Sequence, residues 1–275
     1  MIRAHSRKRS NSIQQIYSTF LQGKVALVTG SGQGNGLAIA CELAKCGADI
    51  VLNDINPEAL QQARREVEGH GVRTAVSVAD CAQVTQINAL IHNTLEQMGR
   101  LDVLINNAGI IKLSAFPNVP EAEYDAIMNL NARGAFFLMQ AAAQHLPQGG
   151  RIINIASVAG VDGRTLSAPY AASKAALIAM TKTLARALAP KGVTVNAIAP
   201  GMFDTLFVAM LDEKLGVQQQ GLPPGEFTRR RAADIPLGRL GKPEEIGRVA
   251  AFLASPAADY ITGETVIISG GWVID

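Results

Sequence analysis

The chain has 275 residues, 48% of them hydrophobic and only 17% charged, which is enough apolar mass for a sizeable core and excludes a globally disordered protein. The net charge of +2 originates in the first 23 residues, which hold four basic and no acidic side chains; the remaining 21 basic and 23 acidic residues nearly cancel, so nothing in the charge invokes nucleic acid as a partner. No apolar run reaches the roughly 18 residues of a membrane span, and three scattered cysteines with four histidines form neither a disulfide framework nor metal-ligand spacing, so we expect no metal and a reducing, cytoplasmic setting.

Residues 1–21 are Arg/Ser-rich and free of acid, superficially like an organellar targeting peptide; we read them as a poorly ordered basic extension of a single domain covering 22–275. "KVALVT" (24–29) is apolar throughout and predicts a strand, followed by a glycine turn and a helix from "GLAIACELAKCG". "DIVLND" (49–54) predicts the second strand, and Pro57 opens the next helix at a position where its missing N–H costs little. Further strands are expected at 74–80, 101–109, 150–157, 192–201 and 264–269, with helices over 83–99, about 121–146, and from about Tyr170 to Pro190. Strands without polar alternation are buried on both faces, so strand–helix alternation implies a doubly wound, seven-stranded parallel sheet covered by helices on both sides, a Rossmann arrangement. Residues 202–235 break the rhythm beyond a strand's carboxyl end, where a substrate lid would lie.

Three local patterns carry chemistry. "TGSGQGNG" sets Gly30, Gly34 and Gly36 between the first strand and its helix, where the backbone can approach a pyrophosphate at the helix N-terminus. Asp54 closes the second strand, where a carboxylate accepts from ribose hydroxyls and repels a 2′-phosphate; no Arg or Lys stands in the turn or just after Asp54, which favours NAD over NADP. Tyr170 and Lys174 in "YAASK" lie one helical turn apart, so their polar ends share a face.

With these spacings in order, the sequence resembles the short-chain dehydrogenase/reductase family over about residues 22–275. The landmarks are Thr29-Gly30…Gly34-x-Gly36, Asp80, Asn106-Asn107-Ala108-Gly109, Asn131, Ser157, Tyr170-x-x-x-Lys174, and Pro200-Gly201 with Thr205. Asn35, where an aliphatic residue is usual, and Ser269 in "SGG" depart from the pattern. The resemblance implies a catalytic set of Asn131, Ser157, Tyr170 and Lys174. It also implies dinucleotide contacts from Gly30, Gly32, Gln33, Gly34, Asn35, Gly36, Asp54, Ile55, Asp80, Cys81, Asn107, Ala108, Gly109, Tyr170, Lys174, Pro200, Gly201 and Thr205, and a homotetramer.

A free phenol has a pKa of about 10, and lowering it by about three units needs roughly 4 kcal/mol of preferential stabilisation of the anion. Lys174 together with a positive nicotinamide ring is the expected source, Ser157 would steady the substrate oxygen, and Asn131 would anchor a water in the proton relay. The implied reaction is hydride transfer between NAD(H) and a secondary alcohol or ketone, an activity on CH–OH donors. The layout of residues 200–275 looks like that of polyol dehydrogenases and suggests a sugar alcohol. Rival substrates are a 3-oxoacyl thioester, a diketone or a hydroxysteroid; a catalytically silent nucleotide sensor is the rival of another class, opposed by the intact catalytic set. Phe203, Leu206, Phe207, Met210 and Leu211 suggest an apolar lid, and Asp162, Arg164 and Asp204 are the polar candidates beside the substrate.

Overall fold

Apolar side chains on both faces of each central strand demand cover on both sides, and the sheet is built accordingly. The structure is a computed structural model that describes residues 19–163 and 165–274, so all but the last three residues of the expected basic extension, and Arg164, lie outside the described residues. Seven strands, β1 (Val25–Thr29), β2 (Asp49–Asp54), β3 (Thr74–Val78), β4 (Val103–Asn106), β5 (Arg151–Ile155), β6 (Thr194–Pro200) and β7 (Thr265–Ile268), form one sheet in the order β3-β2-β1-β4-β5-β6-β7. All six pairings are parallel. This is the expected single-domain α/β Rossmann arrangement.

Alternate residues of one strand feed two separate cores. Ala26 and Val28 pack with Ile39, Leu43, Ile246 and Leu253 on one face; Val25 and Leu27 pack with Ile87, Leu90, Leu138 and Leu177 on the other. The first layer comes from α1 (Gly34–Lys45), α2 (Pro57–Glu68) and a helix over Pro243–Ala254. The second comes from α3 (Val84–Met98), α4 (Glu121–Met128), α5 (Ala135–Ala143) and α6 (Ala168–Leu188). Leu21, assigned above to the extension, is instead buried, and its N–H donates to the Cys46 carbonyl at 3.0 Å, because an apolar side chain there closes the bottom of the first core.

The expected long helix over 121–146 is interrupted. Asn129–Gly134 forms a π-helical turn between α4 and α5, which carries Asn131 into the interior at 1% exposure. Widened turns of this kind recur at functional sites because they re-aim a side chain without ending the helix. Between β6 and β7 the chain is helical: α7 (Leu206–Leu211), a π-helical stretch over Asp212–Gln219 and α8 (Glu226–Ala233) make an excursion, and Pro243–Ala254 follows as α9. Asp212 ties this excursion together by accepting from the Gly225 and Thr228 N–H groups at 2.6 and 2.8 Å. Helix α9 was not anticipated. Its signals are Pro243 at the first turn and Glu245, whose carboxylate accepts from the Lys242 N–H at 2.7 Å.

Candidate active site

The strand order reverses between β1 and β4, so the turns leaving those two strands diverge and open a crevice above their carboxyl ends. The β1 turn is glycine by necessity. Gly30 has φ +61°, and a Cβ there would come within 2.9 Å of the Ala108 Cα; a Cβ on Gly36 would overlap the Gly30 carbonyl oxygen. Asn107 locks the two turns together, its side-chain amide donating to the Thr29 and Gly30 carbonyls at 2.8 and 3.0 Å. Thr29 answers with a hydroxyl oxygen that accepts from the Asn107 and Ala108 N–H groups, both at 3.1 Å.

The resulting cleft, about 370 Å³, is lined by the expected Gly30, Gln33, Gly34, Asn35, Gly36, Asp54, Ile55, Asp80, Cys81, Asn107, Ala108, Gly109 and Thr205. Gly32 stands behind the lining and donates its N–H to Asp54 Oδ2 at 3.1 Å, while Asp54 Oδ1 accepts from the Asn56 N–H at 3.1 Å. Asp54 therefore braces the glycine turn as well as facing the cleft. Asp80 Oδ1 accepts from the Ala82 N–H at 2.8 Å, an Asx turn before α3 rather than its cap. Cys81 donates to Asn53 Oδ1 at 3.2 Å, and burial pushes its thiol up to about 12, so it is packing rather than a nucleophile. No Lys or Arg lines the cleft among the described residues.

A second cavity of about 420 Å³ continues from the first; Asn35, Asn107, Gly109, Ile110, Thr205 and Phe207 line both. Ser157, at the end of β5, Tyr170 and Lys174, on α6, and Pro200 and Gly201, at the end of β6, line this second cavity. The Ser157 and Tyr170 hydroxyls face each other across this cavity closely enough to interact. Ser157 Oγ also accepts from the Ala159 N–H at 3.1 Å, which fixes it at the start of a single helical turn, Ala159–Asp162. That turn reaches α6 closely because Gly160 has no Cβ to strike the Lys174 and Ala175 backbone.

Lys174 is 4% exposed; its ammonium donates to the Ile155 carbonyl at 2.7 Å and lies 5.7 Å from the centroid of the Tyr170 ring. Burial pushes Lys174 down to about 8. At Tyr170 the protein's own groups act against the expected lowering: burial raises the hydroxyl above the ordinary phenol value, and the interaction with Ser157 offsets this only in part. The expectation itself rests on Lys174 together with a nicotinamide charge.

Asn131 does not line either cavity; its side chain both accepts from the Ile110 N–H and donates to the Ile110 carbonyl, each at 2.8 Å, and reaches Ser173 Oγ at 3.2 Å. It therefore pins the loop after β4 to α6 beside Tyr170. Asn35 leaves its Oδ1 buried with no hydrogen-bond partner among the described residues, a polar atom at the junction of the two cavities.

The excursion after β6 covers the second cavity with Met202, Phe203, Phe207, Leu211, Leu215 and Phe227. Met210, named among the apolar lid residues, lines neither cavity, and Leu206 is 69% exposed and borders only the first. Asp162 and Asp204 line neither cavity; the charged residue that the lid contributes is Arg231, and Trp272 completes the wall. Neither was singled out as a site residue, because Arg231 comes to the cavity through the lid and Trp272 through the segment after β7, both far in sequence from Tyr170. Among the described residues, no three His, Cys, Asp or Glu side chains are placed to hold a metal, and no helix is long and apolar enough to cross a membrane.

A family model described as "Enoyl-(Acyl carrier protein) reductase" matches residues 30–273. The 3-oxoacyl-[acyl-carrier-protein] reductase FabG of Thermotoga maritima is 38% identical over 92% of this chain and 99% of its own length. The hydroxynaphthalene reductase-like protein Arp2 of Metarhizium anisopliae is 40% identical over 92% of this chain and 96% of its own. Among solved structures, a short-chain dehydrogenase from Burkholderia cenocepacia in complex with NADP superposes with a TM-score of 0.82 at 34% identity, covering 92% of this chain and 99% of that one.

Proposed function

The chain belongs to the short-chain dehydrogenase/reductase family, and from that membership we propose that it is a nicotinamide-dependent carbonyl reductase and secondary-alcohol dehydrogenase whose proton donor is Tyr170. The observation that carries this is the meeting of the Ser157 and Tyr170 hydroxyls above the buried Lys174, in a cavity continuous with the glycine-turn cleft. The bare turn of Gly30, Gly34 and Gly36 suits a pyrophosphate.

The bound dinucleotide supplies or accepts the hydride. The protein does the rest. Ser157 donates a hydrogen bond to the substrate oxygen as charge develops on it. In reduction, the Tyr170 O–H transfers its proton to that oxygen, and the Lys174 ammonium stabilises the phenolate left behind. A phenol raised by burial is protonated at neutral pH, the state that reduction needs; oxidation needs the phenolate. Asn131 holds the loop after β4 against α6 and so positions Tyr170. The helices of 202–235 act as the lid that keeps water from the reacting atoms.

NAD is the proposed cofactor. The Burkholderia neighbour holds NADP, so the choice is not inherited from the fold; it rests on Asp54 facing a cleft whose described lining has no cation. Walls such as Ile111, Leu113, Leu166 and Leu215 favour a ketone with an apolar body over a sugar alcohol. A 3-oxoacyl thioester is the second reading, favoured by the name of the Thermotoga relative and by the same apolar walls. Consumption of NADH with matched panels of aryl or alkyl ketones, polyol-derived ketoses and 3-oxoacyl thioesters tests the proposal, and absence of turnover with every member would reject it.

A further inference from the structure

Resting on the reductase reading, we infer that Arg231 is the anion anchor of the substrate cavity, so that the substrate carries a carboxylate or phosphate beyond its apolar body. Two charged side chains line the cavity among the described residues, Lys174 and Arg231, and no Asp or Glu does. A cleft of one sign with apolar walls concentrates ligands of the other. Lys174 is committed at the floor, to the Ile155 carbonyl. Arg231 is the cation left for a ligand.

Its neighbours on α8 make the contrast plain. Arg229 and Arg230 both direct their guanidinium groups at Glu226, at 2.7 to 2.9 Å, and are surface pairs. Arg231 does not join them. Its guanidinium lies 5.1 Å from the centroid of the Phe227 ring, which is itself buried and lines the same cavity. Stacking on an aromatic face orients a guanidinium while leaving its N–H edge available for a planar anion. Among the described residues the one acid it meets is Asp234, with Nη1 to Oδ2 at 3.5 Å, the two side chains 43% and 57% exposed. A pair at that distance and exposure holds the arginine weakly. A ligand carboxylate or phosphate entering the cavity past Leu211, Leu215 and Trp272 can take the guanidinium N–H edge in charge-assisted bonds shorter than the 3.5 Å pair with Asp234.

Trp272 is the chain's single tryptophan and lines this cavity, so its fluorescence reports occupancy without turnover. The experiment titrates straight-chain keto acids from acetoacetate upward against their methyl esters, and dihydroxyacetone phosphate against dihydroxyacetone, into the NAD-saturated wild type, Arg231→Gln and Arg231→Lys. NADH-driven reduction of the same compounds is then measured. The expected result is an acid (or phosphate) that binds about tenfold more tightly than its neutral counterpart, with that advantage removed by Arg231→Gln, partly restored by Arg231→Lys, and expressed in KM rather than kcat. The carboxylate and phosphate arms decide which anion is preferred. Neutral counterparts binding as tightly as the anions, or Arg231→Gln weakening both alike, would overturn the anchor while leaving ketone reduction intact. Arg231-dependent binding of an anion with no reduction by NADH would keep the anchor and overturn the reductase reading.

Discussion

The Lys174 ammonium sits 5.7 Å from the centre of the Tyr170 ring and donates to the Ile155 carbonyl at 2.7 Å. The strand end thus fixes the lysine under the phenol, and the cation acts on the tyrosine through space while its own position is held by backbone. Lys174 is buried and Tyr170 half-buried at the cavity wall, and desolvation disfavours the charged form of each: the phenol is raised and the ammonium is lowered to about 8.

Replacing Tyr170 by Phe removes the proton donor while retaining the ring over Lys174. Turnover should fall about 10²- to 10⁴-fold, with NADH still bound, as read by quenching of Trp272 fluorescence. Wild-type-like turnover would remove Tyr170 from its assigned role.

The raised phenol sets the sign of the pH dependence. Alcohol oxidation should rise with pH as Tyr170 loses its proton, and ketone reduction should fall over the same range. Parallel initial-rate profiles in the two directions check this, and profiles of the same sign would contradict it.

Lys174 carries a stability cost with a defined window. Its folded pKa, about 8, lies below the unfolded value near 10.5, so between those values the unfolded chain binds more protons and stability rises with pH. Below about pH 8 both states are protonated and the full cost, about 3 kcal/mol at most, is present. Relative to Lys174→Met, the wild-type urea midpoint should therefore increase between about pH 8 and about pH 10; equal slopes for the two proteins would refute the burial argument.

Asp54→Ala should narrow the preference for NAD over NADP, since it removes the carboxylate that opposes a 2′-phosphate. It also removes the acceptor of the Gly32 and Asn56 N–H groups, so a loss of about 1–2 kcal/mol in stability is expected alongside. The ratio of kcat/KM for the two cofactors, with a urea midpoint, measures both; a severalfold preference of the wild type for NADPH would void the assignment.

Asp102 is a carboxylate at 1% exposure, receiving the Val25 N–H at 3.0 Å and two Arg100 N–H groups at 2.7 Å, with Lys24 at 3.3 Å. Burial works against its charge, but the Arg100 and Val25 hydrogen bonds prevail and hold its pKa below the ordinary carboxylate value. Its contribution is present above the unfolded pKa, near 4, and is lost as pH falls through the lower folded value. The Lys24 and Arg100 side chains are 39% and 49% exposed and stay solvated without it, so Asp102→Ala should cost about 1–3 kcal/mol, chiefly through the orphaned Val25 N–H, read from urea unfolding at neutral pH; a change under about 0.5 kcal/mol would show that the cluster holds nothing together.

The sheet, its parallel sense, the glycine turn and the Tyr170–Lys174 spacing were all legible before any coordinates, because each is written in contiguous residues: unbroken apolar runs, glycines between a strand and a helix, one helical turn between two polar heads. Asn131 was expected at the site, but its π-helical setting and its grip on Ile110 were not, since they depend on a loop 21 residues away. Helix α9 was missed although Pro243 and Glu245 announce its start.

What only the tertiary structure decided is what surrounds the reacting hydroxyl. Burial is a property of the packed whole, and it raises the Tyr170 phenol and draws Lys174 down to about 8. Arg231 reaches the cavity of Ser157 through the lid and Trp272 through the segment after β7, whereas Asp162 and Asp204, nearer in sequence to other site residues, do not line it. Periodicity and spacing act over a few residues and reveal the machinery of hydride and proton transfer; solvent exclusion and cavity charge arise from residues tens of positions apart.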